Sequence, residues 1–121
     1  MAVASALHRV GWDVFVPLFA PDSRVDLVVN GPPGLLRIQC KTSRPARGAL
    51  FFRTCSNTAN VPAHYQNQID AFGVYSPDLN LVYLVPVGDT PVRGSHLRLE
   101  PARNGQRAGI RWASDYLVGP P

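Results

Sequence analysis

Arg24-Val25-Asp26-Leu27-Val28-Val29, then Asn30-Gly31-Pro32-Pro33-Gly34, then Leu35-Leu36-Arg37-Ile38-Gln39-Cys40-Lys41-Thr42 is the stretch from which the rest of the chain can be placed. The outer runs are rich in Val, Leu and Ile, and the five residues between them are all turn formers. Two strands joined in an antiparallel hairpin are expected. With the turn centred between Pro32 and Pro33, Val29 lies opposite Leu36 and Asp26 opposite Gln39. Side chains alternate along a strand, so Lys41 shares the face of Gln39. Leu36, Ile38 and Cys40 point the other way with Val25, Leu27 and Val29, into an apolar layer. A carboxylate, an amide and an ammonium thus converge on one face of a sheet whose other face is core, and a register slip of one residue would undo this.

Outward from the hairpin, residues 1–10 read as a helix, with Val3, Leu7 and Val10 at helical spacing and Gly11 as its stop. Trp12 to Leu18 is rich in β-branched and aromatic residues and reads as a strand. Ala49 to Thr54 is another, after the loop Ser43 to Gly48. The polar stretch Ser56 to Gln68 reads as a long connection with a short helix after Pro62. Ile69 to Tyr75 and Leu81 to Val87 are two further strands around the turn Ser76 to Asn80. From Gly88 the chain is loop-rich and basic, with Leu97 to Leu99 and Gly109 to Trp112 as short strand candidates. The expected class is α+β with a mainly antiparallel or mixed central sheet, as a single domain over 1–121 in which 88–121 is a basic C-terminal extension.

A chain of 121 residues supports one core. Its formal charge of +4 fits a polyanionic partner. The kind of base says more: of the 12 Lys and Arg residues, Lys41 is the only lysine. Arg stays charged and presents a planar fork, whereas Lys is a compact point charge, so a position that keeps Lys against the chain's bias reads as one that needs it. Cys40 and Cys55 lack metal-ligand spacing and read as reduced, buried thiols. His8, His64 and His96 are scattered and suggest no zinc site. No run is long and apolar enough to span a membrane. The basic residues His8 and Arg9 follow the apolar start instead of preceding it, unlike a secretory signal. A cytoplasmic protein is expected.

Asp, Gln and Lys on one hairpin make chemical sense for phosphodiester hydrolysis. That reaction needs charge stabilisation on the non-bridging oxygens and an activated water in line with the leaving group. A carboxylate holding Mg²⁺ serves the first need, and a lysine beside it can position the water.

Val25-Asp26-Leu27-Val28-Val29, the turn, and Arg37-Ile38-Gln39-Cys40-Lys41-Thr42-Ser43 resemble the signature of the PD-(D/E)XK nucleases. More narrowly they are similar to the branch in which Gln replaces the acidic residue, as in certain group I intron homing endonucleases. Gly11-Trp12, Val14 to Pro17, Tyr65, Ile69 to Phe72 and Val82 to Pro86 look like further family elements. The resemblance implies a restriction-endonuclease-like core of α/β three-layer character, with a central mixed sheet and an N-terminal helix. It implies a Mg²⁺-dependent DNA endonuclease, with Mn²⁺ as substitute, in which Asp26, Gln39 and Lys41 are catalytic. Asp26, Gln39 and the backbone carbonyl of Cys40 would hold the metal, and Lys41 would organise the attacking water. DNA contacts are expected from Arg44, Arg47, Arg53, His64, Arg103, Arg107 and Arg111, since arginines do much of the work on phosphates. Cutting both strands needs two sites, so a homodimer or higher homo-oligomer is expected.

Two departures set the alternatives. Gln39 brings no charge, and residues 1–10 contain no acidic residue where the family commonly has a helix Glu. The helix therefore reads as cut short, with that Glu upstream of Met1. The competing readings are a catalytically degenerate nucleic-acid-binding module of the same fold and a structure-selective nuclease resembling Holliday junction resolvases. Asp70 reads as a structural hydrogen-bonding residue.

Overall fold

A computed structural model describes residues 1–58, 61–64, 68–91, 93–101, 104–105 and 109–121, with the backbone alone at 55–58 and 61–64. Helix α1 (Ala2–Arg9) comes first, followed by strands β1 (Asp13–Phe15), β2 (Leu27–Gly31) and β3 (Gly34–Thr42). Then come β4 (Pro45–Ala46), β5 (Ala49–Arg53), β6 (Cys55–Thr58), β7 (Val61–His64), β8 (Ala71–Ser76) and β9 (Leu81–Pro86). A 3₁₀ turn at Val87–Asp89, β10 (Gly94–Arg98), a second 3₁₀ turn at Ala113–Tyr116 and β11 (Leu117–Gly119) complete the order.

The main sheet has six strands in the order β1-β2-β3-β8-β9-β11. Every neighbouring pair is antiparallel except β3 and β8, which run parallel. A parallel pair needs a crossover, and here β4 to β7 supply it. Strands β10-β5-β4 form a second small sheet, and β6-β7 a hairpin of their own.

Helix α1 ends as Gly11 implies. Its φ of +93° is the left-handed turn that glycine tolerates. The Gly11 N–H then donates to the His8 carbonyl at 3.0 Å and the Trp12 N–H to the Leu7 carbonyl at 3.1 Å, a Schellman closure. Val3, Ala6 and Leu7 lie on the main sheet against Leu27, Val29, Ile38, Ala71 and Val82. The opposite face carries a second core in which Phe72, Val74, Tyr83 and Val85 meet Leu50, Phe52 and Leu97 of the small sheet. Helix, mixed sheet and small sheet therefore form the three layers of an α+β fold.

The β2–β3 ladder has the expected register, from Gly31 opposite Gly34 to Leu27 opposite Ile38. Val25 corrects the expected pattern: it packs against the Phe72 core and not with Leu27 and Val29. The alternation breaks at Asp26, where β2 ends. Trp12 to Leu18 keeps only three residues as strand, because Pro17 cannot donate to a ladder. In place of the expected short helix after Pro62, residues 61–64 are strand β7, paired with β6, and residues 65–67 lie outside the described ones. Gly109 to Trp112 contributes one bridge, Arg98 to Trp112, and the strand of that region is β11, which joins the main sheet beside β9. The candidate at Leu97 to Leu99 is β10, starting three residues earlier. Among the described residues no helix is long and apolar enough to cross a membrane.

Gly73 on β8 marks the closest approach of the helix, since a Cβ there would lie 2.5 Å from Val3 Cγ1. Gly73→Ala is expected to push α1 off the sheet and cost about 1–3 kcal/mol, measured as a lower urea midpoint with an unchanged slope.

Candidate active site

Strand β3 carries the site because both its edges are occupied. On one side the ladder to β2 is regular as far as Leu27 and Ile38, and then Asp26 replaces the next step. The Asp26 N–H donates to the Ile38 carbonyl at 2.8 Å, and Asp26 Oδ2 accepts the Cys40 N–H at 2.7 Å. The carboxylate thus stands where a main-chain carbonyl of a longer β2 would be. It does not face Gln39 across the sheet as the simple register implies; it lies along the ladder edge beside Cys40. The N–H and C=O of one strand residue point to the same side, so the Cys40 carbonyl is directed to that edge as well.

On the other side the parallel register sets Gln39 beside Phe72 and Lys41 beside Val74. Phe72 is fully buried and packs at 5.4 Å between ring centroids against Phe52. Lys41 Nζ lies 6.0 Å from the Phe72 ring centroid, at the outer limit of a cation–π contact. Asp26, Gln39 and Lys41 are all half-buried. Gln39 Oε1 is buried without a hydrogen-bond partner. An orphaned acceptor of this kind costs about 1–3 kcal/mol and calls for a reason.

A divalent cation would supply one. Asp26, the Gln39 amide oxygen and the Cys40 carbonyl are all oxygen donors, the chemistry that Mg²⁺ prefers. At the Cys40 side chain, burial, reinforced by the Asp26 carboxylate, pushes the thiol up to about 12 against a smaller opposing effect of the N-terminal amine. It stays protonated, half-buried and free, touching Met1 Sδ at 3.6 Å. Cys55 has no described side chain. Among the described residues no three His, Cys, Asp or Glu side chains gather as a metal group, so the donor set rests on one carboxylate. Helix α1 adds no acid to it.

The structure adds a pair that sequence spacing did not reveal. Arg37 occupies the face of Gln39 and Lys41, and Asp70 holds it through Nε at 3.0 Å and Nη2 at 3.1 Å. Asp70 Oδ2 also accepts the Arg37 N–H at 2.7 Å, and the Asp70 N–H donates to the Arg37 carbonyl at 2.8 Å. This fastens the start of β8 to β3, in keeping with a structural role for Asp70. Only knowledge that β3 and β8 run parallel could have brought the two together. Beside Asp26, the residues Asp22, Ser23, Arg24, Val25 and Gln68 line an open groove of about 320 Å³.

The expected DNA contacts fare unevenly. Arg53 is exposed on β5, and Arg47 is exposed in the β4–β5 turn. Arg44 pairs with Asp78 at 2.6 Å, both side chains being exposed. Arg111 is half-buried, with Nε donating to the Asp89 carbonyl and its own carbonyl accepting the Arg98 N–H, so it holds the C-terminal segment together. His64 lies on β7 without a described side chain, and Arg103 and Arg107 lie outside the described residues.

The comparisons with known proteins agree with this architecture. A bacterial homing endonuclease, I-Ssp6803I, superposes with a TM-score of 0.66 at 25% sequence identity, over 93% of this chain and 78% of its own. No curated protein matches. The fold is that of a nuclease. The chain belongs to the PD-(D/E)XK endonuclease family, whose model matches residues 1–118.

The Arg37 guanidinium, mainly through its hydrogen bonds, holds the Asp70 carboxyl below the usual carboxylate range. A depressed folded-state value stabilises the fold above the unfolded aspartate range, and that stability is lost as pH falls through the folded value. Asp70→Asn is therefore expected to lower stability at pH 7, by a small amount because the pair is partly exposed. Urea unfolding along an acid series should show the gap between the two proteins closing towards low pH.

Proposed function

We propose that the chain is a Mg²⁺-dependent DNA endonuclease, with Mn²⁺ as a substitute, whose site is Asp26, Gln39, the Cys40 carbonyl and Lys41. The observation that carries this reading is the buried, unpartnered Gln39 Oε1 on the strand whose neighbouring residue is pinned by the Asp26 carboxylate. Family membership supports hydrolysis of nucleic acid, and the excess of basic residues supports DNA as the polyanion.

A divalent ion in this site supplies charge stabilisation at the phosphate and acidifies water. The side chains of the chain do the rest. Asp26, with Oδ2 fixed on the Cys40 N–H, presents its other oxygen without rotamer freedom to lose. Gln39 offers a neutral donor from a position already shielded from solvent. Lys41, its Nζ 6.0 Å from the Phe72 ring centroid, places an ammonium to orient the attacking water and to offset charge building on the phosphate. Arg47 and Arg53 are the exposed cations that suit flanking phosphates. Cleavage of both strands calls for two such sites, hence a homodimer or higher homo-oligomer.

The second reading, a DNA-binding module that keeps this fold without cutting, draws on the single carboxylate and the absence of acid from α1. Plasmid, duplex, single-stranded and four-way-junction DNA incubated with Mg²⁺, Mn²⁺ or EDTA separate the two. The nuclease reading expects metal-dependent cutting that Asp26→Ala and Lys41→Ala each reduce by about 10²-fold or more. Binding without cutting in either metal would establish the module, and preference for the junction would mark a resolvase-like specificity.

Metal binding has its own readout. By calorimetry, Gln39→Glu is expected to bind Mn²⁺ more tightly than the native chain, because a second anion joins the donor set. Asp26→Ala should abolish the binding heat. Equal affinities in all three proteins would place the metal elsewhere.

A further inference from the structure

Among the described residues, the most anomalous surface lies between β1 and Asp26. Phe15 is 54% exposed, Val16 67%, Leu18 84% and Phe19 89%, and Leu35 on β3 is 68% exposed. Pairing of Phe15 with Val28 and of Leu35 with Asn30 puts Phe15, Val28 and Leu35 on one face across three strands. That is also the face of Gln39 and Lys41, since positions 35, 37, 39 and 41 alternate together on β3. The small sheet covers this face only further along, over β8 and β9. Val16, Leu18 and Phe19 continue the exposed apolar run directly after β1, and together with Phe15 and Leu35 they present on the order of 600 Å² of apolar surface. A monomer seldom shows more than about 300–600 Å² in one patch, and one side of a standard dimer interface buries about 800 Å².

We infer that this surface is where a second copy of the chain docks, a step that rests on the proposed two-site nuclease and names the interface it needs. The chemistry selects a protein occupant. The patch itself carries no cation, and the nearby Arg37 is held by Asp70, so a phosphate backbone gains little from it. Asp13, Asn30 and the Arg37–Asp70 pair border it as a polar rim around an apolar centre, the anatomy of a protein interface. β1 is an edge strand of the main sheet, but Pro17 removes a donor directly after it, so the contact relies on side chains and not on a continued ladder. A patch that meets its own copy across a two-fold axis closes the assembly at two subunits. The segment lies seven residues before Asp26, so the two sites of such a dimer stand at a fixed separation, as two cuts in one duplex require.

Sedimentation equilibrium from about 0.1 to 100 µM, without DNA or metal, tests the interface apart from the chemistry. The native chain should be a dimer over most of that range. Leu18→Ser with Phe19→Ser should raise the dimer dissociation constant by about a hundredfold or more, because each large side chain contributes at least a factor of ten. Both positions are solvent-facing in the single chain, so the melting temperature of the monomeric variant should stay near the native one at equal low concentration. Leu18→Asp provides a second variant, in which like charges would meet across the axis. On supercoiled plasmid the native protein should linearise and the variants should mainly nick. A native chain that stays monomeric throughout, or variants that associate as the native chain does, would overturn the proposal. So would variants that remain dimeric and lose DNA affinity, which would make the patch a DNA contact. If the native chain dimerises, the variants do not, and neither cuts DNA, the interface stands and the nuclease reading falls.

Discussion

The hydrogen bond from the Cys40 N–H to Asp26 Oδ2, at 2.7 Å, is the point from which the rest of the site is arranged. It ends β2 by letting a side chain take the place of the next main-chain acceptor. It leaves the chain before Asp26 free to turn away, so Val25 crosses to the other core. It also brings a carboxylate next to a strand that would otherwise face it only across a ladder. A shorter β2 would leave the Cys40 N–H unsatisfied. A longer one would satisfy it with backbone and send the Asp26 side chain to one face of the sheet.

The opposite edge of β3 contributes rigidity. Parallel pairing with β8 forces the chain through a crossover, and the crossover here is itself β-structure that folds back as a layer over Phe72 and Val74. Gln39 and Lys41 consequently lie at the margin of a core and not on an open face. Half-burial limits their motion and lowers the local dielectric, so both the ammonium and the unpartnered amide oxygen act more strongly than they would in water. The Arg37–Asp70 pair serves the same end by clamping the first step of the parallel ladder.

The parts of this arrangement that are local in sequence could be read from it. The hairpin register followed from a turn of five consecutive turn formers between apolar runs, and the helix stop from Gly11. Lys41 stood out as the lone lysine among arginines. What could not be read depended on long-range pairing. Val25 defied alternation because Asp26 bonds through its side chain, a choice that periodicity does not encode. The hairpin β6–β7 hid inside a polar stretch with Pro62, where composition favours a loop. β11 is three residues long, and it exists because β9 offers it an edge, Leu117 pairing with Tyr83, 34 residues upstream in sequence. Arg37 and Asp70 met only once β3 and β8 were known to be parallel.

The amide at Gln39 can be understood from the same burial. A carboxylate there would lie shielded from solvent, near that of Asp26, and each ionised form would oppose the other. Desolvation would add to this, and without a cation one of the two would tend to hold a proton. Glutamine avoids both costs, because it is neutral with or without an ion. The disadvantage is the orphaned Oε1, which loses its solvent partner and gains none from the protein. That penalty is smaller than the cost of burying an unpaired charge. It leaves a strand that can fold without a cation, with an acceptor that suits the proposed one. Lys41 completes the balance: one carboxylate and one ammonium leave the side chains of the proposed site neutral, so the fold does not depend on an ion to relieve repulsion within it.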